Sequence, residues 1–221
     1  MAVVIVTGAS RLTSSRETVL RLIFVLPRGI GLAATSYLLG ALNATVVAIS
    51  RTRTPELDAL ATAHPETLQV VQCNMPVTFR TLASEPLADN PHRTDESAFT
   101  AAVQSVLAKH GHLDGLILNA GTIEPLTRVA SADTPLDAWR THFEVNVYSL
   151  ITALKAAVPP LRDSPRGGRV VFVSSGAAVS GIVGWGPYNA SKAAMNSLNR
   201  LDYYGGRDHA RAHTLYDQDT G

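Results

Sequence analysis

A single cysteine, Cys73, in a chain of 221 residues leaves no disulfide framework and no multi-cysteine metal site, and it makes a reducing compartment the easier setting. Charge of one sign is missing too. The chain has 19 Lys+Arg against 18 Asp+Glu, a formal net charge of +1, so composition offers no basic face for nucleic acid. Long hydrophobic runs are absent. The best, Val19–Leu26, is short for a bilayer and carries Arg21 inside it. The opening Met1-Ala2-Val3-Val4-Ile5-Val6 has no basic segment ahead of it and runs straight into Thr7-Gly8, unlike a secretion signal. There is no repeat and no low-complexity tract. What the chain does have is 46% hydrophobic and 17% charged residues, enough for the core of a single domain and too apolar for global disorder. A cytoplasmic protein with neither membrane nor nucleic-acid partner is the expectation.

Short apolar runs at Val3–Val6, Thr45–Ile49, Leu113–Leu118 and Arg169–Val173, with a weaker one at Leu68–Val71, lack strict polar alternation. Strands covered on both faces of a parallel sheet read this way. Helical stretches lie between them at Gly31–Ala41, Pro55–Ala63, Glu96–His110, Leu136–Val158 and Tyr188–Leu201. Regular alternation of this kind predicts an α/β fold, a Rossmann-like doubly wound parallel sheet. Two segments break the rhythm. Arg11–Pro27 separates the first strand from its helix, and Met75–Arg93, with Pro76, Pro86 and Pro91, follows the third strand. Both are long for a βα connection, which is normally about 2–6 residues.

The strongest local pattern is Tyr188-Asn189-Ala190-Ser191-Lys192 on a predicted helix. Tyr188 and Lys192 fall on one face, a turn apart. An ammonium beside a phenol stabilises the phenolate, so such a tyrosine can give a proton to a carbonyl oxygen while hydride reaches the carbon. Ser175 ends a strand, where its hydroxyl faces the ligand crevice at the sheet's carboxyl edge. Asn119-Ala120-Gly121 directly follows Leu113–Leu118, and small residues there let a dinucleotide approach the backbone. Asn146 is a polar residue in an apolar helical stretch, either a satisfied core amide or one that holds the helix open around a water. At the N-terminus Thr7-Gly8-Ala9-Ser10 is followed, after Arg11–Pro27, by Arg28-Gly29-Ile30-Gly31-Leu32-Ala33. Joined, the two make a glycine-rich turn feeding a helix N-terminus, suited to pyrophosphate. His110–His112 and His209–His213 have metal-like spacing but no carboxylate or cysteine in a recognisable arrangement, so no metal is expected.

In combination these motifs resemble the short-chain dehydrogenases/reductases, in particular small fungal-type carbonyl reductases of the benzil or sepiapterin reductase kind. The resemblance covers residues 1–10, 28–74 and about 94–200. It implies a single Rossmann-type domain over 1–200, a non-family tail over 201–221, and reduction of a small-molecule carbonyl with a nicotinamide cofactor. By motif, Tyr188 is the general acid/base, Ser175 holds the substrate oxygen, Lys192 holds the nicotinamide ribose and tunes the tyrosine, and Asn146 supports the proton relay. Gly8, Ser10, Gly29, Ile30 and Gly31 line pyrophosphate and ribose, with Asn119, Ala120 and Gly121 nearby. The second strand ends Ala48-Ile49-Ser50-Arg51 without an acid for a free 2′-hydroxyl. Arg51 and Arg28 (or Arg11) suit a 2′-phosphate, so NADPH is expected over NADH. Asn74 stands where similar proteins carry Asp near the adenine. Related reductases often pair through the two long helices, which leaves a homo-oligomer open.

Three departures qualify the resemblance. The segment Arg11–Pro27 splits the glycine turn, Met75–Arg93 interrupts the adenine side, and the family pattern stops after Arg200. The polar run Leu201–Gly221 contains no β-rich stretch, so C-terminal strands are expected to be missing. Deleting Arg11–Pro27 restores the glycine motif without losing a residue, the pattern of a translated intron or gene-model error. The alternative function is therefore a dinucleotide-fold fragment that is catalytically impaired or silent.

Overall fold

The computed structural model describes residues 21–25, 29–50, 52–72, 96–201 and 211–217. In chain order these form β1 (Arg21–Val25), α1 (Gly29–Leu42), β2 (Thr45–Ser50), α2 (Pro55–Ala63), β3 (Leu68–Gln72), α3 (Glu96–His110) and β4 (Gly115–Leu118). Then come α4 (Leu136–Phe143), a π-helical turn (Glu144–Tyr148), α5 (Ser149–Arg162), β5 (Arg169–Ser175), α6 (Ala177–Ser180), α7 (Gly186–Leu201) and β6 (Arg211–Asp217). The 6 strands make one parallel sheet in the order β3-β2-β1-β4-β5-β6. The chain steps outward from β1 to β3 and then crosses back to β4, so the strand order reverses between β1 and β4. A doubly wound sheet opens its ligand crevice at that point.

The unbroken apolar character of β2 follows from helices covering both faces. Val47 and Ile49 join a core with Phe99, Val103 and Val106 of α3 and Leu150, Leu154 and Leu161 of α5. The alternate residues Val46 and Ala48 join a second core with Leu38 and Leu39 of α1, Leu57 of α2 and Leu68. Period-two geometry thus sends neighbours to opposite, equally dry faces, and no polar residue is called for. Local signals end the elements where they should. Thr54 caps α2, its hydroxyl accepting from Leu57 N, and Pro55 takes the first helical position. At the α5–β5 connection a Cβ on Gly168 would strike the Leu161 carbonyl, which only glycine avoids.

The structure departs from the sequence reading at three places. The strand between β2 and β4 is Arg21–Val25, whereas Val3–Val6 lies outside the described residues. Part of the segment read as an insertion therefore stands in the sheet. Its run Leu-Ile-Phe-Val is as apolar as Val3–Val6, and only Leu26–Arg28 separate it from α1, a short βα connection. At the other end Arg211–Asp217 pairs with β5 from Arg169↔Arg211 to Ser175↔Asp217, where no further strand was expected. An edge strand has one open side and tolerates charged residues, so its composition hides it. Lastly, the helix expected over Leu136–Val158 is opened by the π-helical turn and runs on through Pro159 and Pro160 to Arg162. Residues 73–95, which include the segment Met75–Arg93, lie outside the described residues. Among the described residues no helix is long and apolar enough to cross a membrane.

Candidate active site

Three carboxyl-edge features converge on the far side of the switch point: the end of β4, the end of β5 and the first turns of α7. Residues 119–121 leave β4 with Asn119 half-buried and Ala120 buried. Gly121 lies beside two other side chains expected at the site. A Cβ built on it would sit 3.5 Å from Asn146 Oδ1 and 3.7 Å from Lys192 Nζ. The tyrosine–lysine helix begins against the loop after β4, where Gly186 N donates to Thr127 O at 2.9 Å. Trp139 of α4 closes on the same glycine, leaving no slack for a side chain.

Tyr188 and Lys192 are one turn apart on α7. Lys192 is only 4% exposed, and its Nζ donates to Val173 O of β5 at 2.8 Å. The ammonium stands 5.6 Å from the Tyr188 ring centroid. Edge-on contacts from Trp185 at 5.8 Å and His142 at 6.3 Å hold that ring from two sides. A buried cation beside a phenol is electrostatically effective because little water screens it. Ser175 closes β5, fully buried, and its Oγ accepts from Ala177 N at 3.2 Å, which fixes the hydroxyl at the strand's carboxyl end.

Asn146 occupies the π-helical turn, and every polar atom of its amide is bonded. Oδ1 accepts from Thr122 N at 2.8 Å and Nδ2 donates to Thr122 O at 2.8 Å, tying the helix to the loop after β4. Nδ2 also reaches His142 Nε2 at 2.9 Å and Ser191 Oγ at 3.1 Å. Asn146 is thus a satisfied core amide, and it stands in a π-helical turn. His142 and Ser191 were not singled out from the sequence. The signal was present: His142 stands four residues before Asn146, on the same helical face. Its Nδ1 faces Glu124 O at 2.8 Å and its Nε2 lies 3.1 Å from Ser191 Oγ, which donates to Tyr188 O at 2.9 Å. Burial lowers the affinity of His142 for a proton; the Glu124 carbonyl opposes this, and the Lys192 ammonium adds to it.

The dinucleotide-side residues divide. Gly29, Ile30 and Gly31 open α1 at a helix N-terminus, and Gly29 adopts φ +56 with nothing among the described residues within 4 Å of its Cβ position. With Asn119–Gly121 and Lys192 across the switch point, these residues fit a dinucleotide. Gly8, Ser10, Arg11, Arg28, Arg51 and Asn74 lie outside the described residues. Of the charges after β2, Arg53 is engaged by Asp58 at 2.5 Å. His112 sits 3.3 Å from Asp114, whose carboxylate also takes Ser164 and Arg166 in a strap joining the α3–β4 and α5–β5 connections.

A model of the short chain dehydrogenase family matches residues 90–201, a span that holds Asn119–Gly121, Asn146, Ser175, Tyr188 and Lys192 but not the glycine turn. An uncharacterized oxidoreductase of Schizosaccharomyces pombe is 35% identical over 171 residues, covering 77% of this chain and 59% of that protein. A benzil reductase of Saccharomyces cerevisiae that forms (S)-benzoin is 41% identical over 105 residues, covering 47% of this chain and 40% of that protein. A solved short chain dehydrogenase/reductase from Saccharomyces cerevisiae superposes with a TM-score of 0.70 at 25% identity, covering 89% of this chain and 71% of that one. The chain thus spans 59% and 40% of the two curated relatives.

Proposed function

Since the chain belongs to the short-chain dehydrogenase family and is an oxidoreductase by descent, we propose that it reduces a small carbonyl compound to an alcohol with NADPH. The observation that carries the proposal is the buried Lys192 ammonium 5.6 Å from the Tyr188 ring. Tyr188 holds the proton that the alcohol oxygen acquires, and Lys192 stabilises the phenolate left behind. Ser175, fixed at the end of β5, orients the carbonyl oxygen toward the phenol. Asn146 keeps the helix open beside Lys192. The bound nicotinamide would supply the hydride, with Gly29–Gly31 at its pyrophosphate, Asn119–Gly121 along its ribose and Lys192 at the nicotinamide ribose. The preference for NADPH rests on sequence: no Asp or Glu ends β2, and Arg51 and Arg28, next in sequence to β2 and α1, are cations suited to a 2′-phosphate. The single cysteine makes the cytoplasm the compartment proposed.

Tyr188→Phe tests the reading. It should lower kcat by about 10²–10⁴-fold, the ordinary worth of a positioned acid, while NADPH binding is retained. A mutant that turns over normally would defeat the assignment.

A second reading, a dinucleotide-fold chain that binds without turnover, is favoured by one observation. β1 falls at Arg21–Val25, so the residues leading directly into α1 are Leu26-Pro27-Arg28 rather than Thr7–Ser10. Fluorescence titration with NADPH alongside a turnover assay separates the two readings.

A further inference from the structure

The sequence pattern leaves His142 without a role, yet it is 1% exposed and stands at the junction of the Asn146 amide and the Tyr188 helix. We propose that His142 is a positioning residue: as a neutral imidazole it accepts from Asn146 Nδ2 and so locks the amide that, by reaching Ser191 Oγ, ties the π-helical turn to α7. The inference rests on the reading that Tyr188 and Lys192 carry the chemistry.

Donor and acceptor bookkeeping fixes the state of each atom. Glu124 O is a carbonyl and can only accept, so His142 Nδ1, 2.8 Å away, carries the proton. In the neutral ring Nε2 is then an acceptor. Thr122 N must find an acceptor, which sets Asn146 Oδ1 on its side and turns Nδ2 toward Thr122 O and His142 Nε2. One Nδ2 hydrogen goes to Thr122 O, and the other points between His142 Nε2 at 2.9 Å and Ser191 Oγ at 3.1 Å. Ser191 spends its own proton on Tyr188 O, within the turn that carries the phenol. The groups facing the imidazole among the described residues include the Lys192 ammonium, the Tyr188 ring and Ser191 Oγ from α7, the Phe143 ring of α4, Asn146 from the π-helical turn and the Glu124 carbonyl from the loop after β4. The nearby cation and the burial both oppose a second proton on the ring. Were one added, an N–H would be driven against the Asn146 amide hydrogens, and the lock would open.

His142→Leu removes the acceptor at similar bulk, whereas His142→Gln can return an amide oxygen to the Nε2 position and cannot titrate. Displacement of reacting groups by about 1 Å can cost on the order of 10²-fold, so His142→Leu should lower kcat by about ten- to a hundredfold with NADPH affinity unchanged. His142→Gln should restore most of that kcat and flatten the acid limb of its pH profile. Full activity in His142→Leu, or equal impairment in the two variants at equal helicity, overturns the proposal. Nitrogen NMR of the unmodified chain provides a readout independent of turnover and of variant folding. The Nδ1–H tautomer of His142 supports the lock, and the Nε2–H tautomer refutes it. Tyr188→Phe measured in parallel separates the failures: if that variant turns over normally, the chemical reading falls, while the tautomer still decides the role of His142.

Discussion

Replacing Asn146 by Ala and by Asp probes the joint between the π-helical turn and the loop after β4, and the Asp variant should differ from the unmodified chain in the sign of its pH dependence. Asn146 is 0% exposed and bonds Thr122 N, Thr122 O and His142 Nε2 at 2.8, 2.8 and 2.9 Å. Asn146→Ala strands a backbone N–H, a carbonyl and a ring nitrogen. Ser191, 3.1 Å from Nε2, can turn its hydroxyl to relieve the last of these. At about 1–3 kcal/mol for each buried group left unpaired, with the Thr122 atoms only partly buried, the expected loss is about 2–4 kcal/mol. Asn146→Asp keeps the shape but sets a carboxylate oxygen against Thr122 O and His142 Nε2, both acceptors. A proton on the carboxylate or on His142 relieves that clash, so the folded variant holds a proton more tightly than its unfolded chain. Its stability should therefore rise as pH falls. The unmodified chain behaves oppositely at this site. Its buried His142 takes up a proton less readily folded than unfolded, so this contribution is full above 6.5 and declines as pH drops below it. Urea unfolding of all three proteins at neutral and mildly acidic pH is the assay. A loss under about 0.5 kcal/mol for Asn146→Ala, or parallel pH slopes for Asp and the parent, would refute the reasoning.

Other expectations follow from packing and charge. Gly168→Ala should destabilise by more than the usual 1–3 kcal/mol of an overpacked site, because its Cβ meets the backbone of Leu161 rather than a side chain that can move; a thermal melt reads this. Phe172→Ala, at a fully buried β5 position, should cost about 3–5 kcal/mol in chemical denaturation. His142→Gln should remove the part of the acid-side stability slope that His142 contributes, which a pH series of urea midpoints detects.

Most of the sheet was legible because strands buried on both faces announce themselves by unbroken Val, Ile and Leu, as in Val46–Ile49, and because helices such as Pro55–Ala63 carry their caps in the sequence. Tyr188, Lys192 and Asn146 were legible as residue types at fixed spacing, and the structure brings Asn146 and Lys192 together at Gly121 with the Tyr188 ring 5.6 Å from the Lys192 ammonium. The first strand was not. Val3–Val6 and Leu22–Val25 are equally apolar, and periodicity cannot choose between two such runs ahead of one helix. β6 escaped because Arg211, His213 and Asp217 give an edge strand the composition of a loop. His142 escaped for a different reason. A histidine's function here lies in which groups face its two nitrogens, and Glu124 and Ser191 are distant in sequence.

Deuterium transfer tests the central claim most directly. The full chain, given a ketone and NADPH deuterated at its transferable position, should yield alcohol labelled at the former carbonyl carbon, and Tyr188→Phe should yield almost none while still binding the cofactor. Unlabelled product, or equal labelling from the two proteins, would contradict the account.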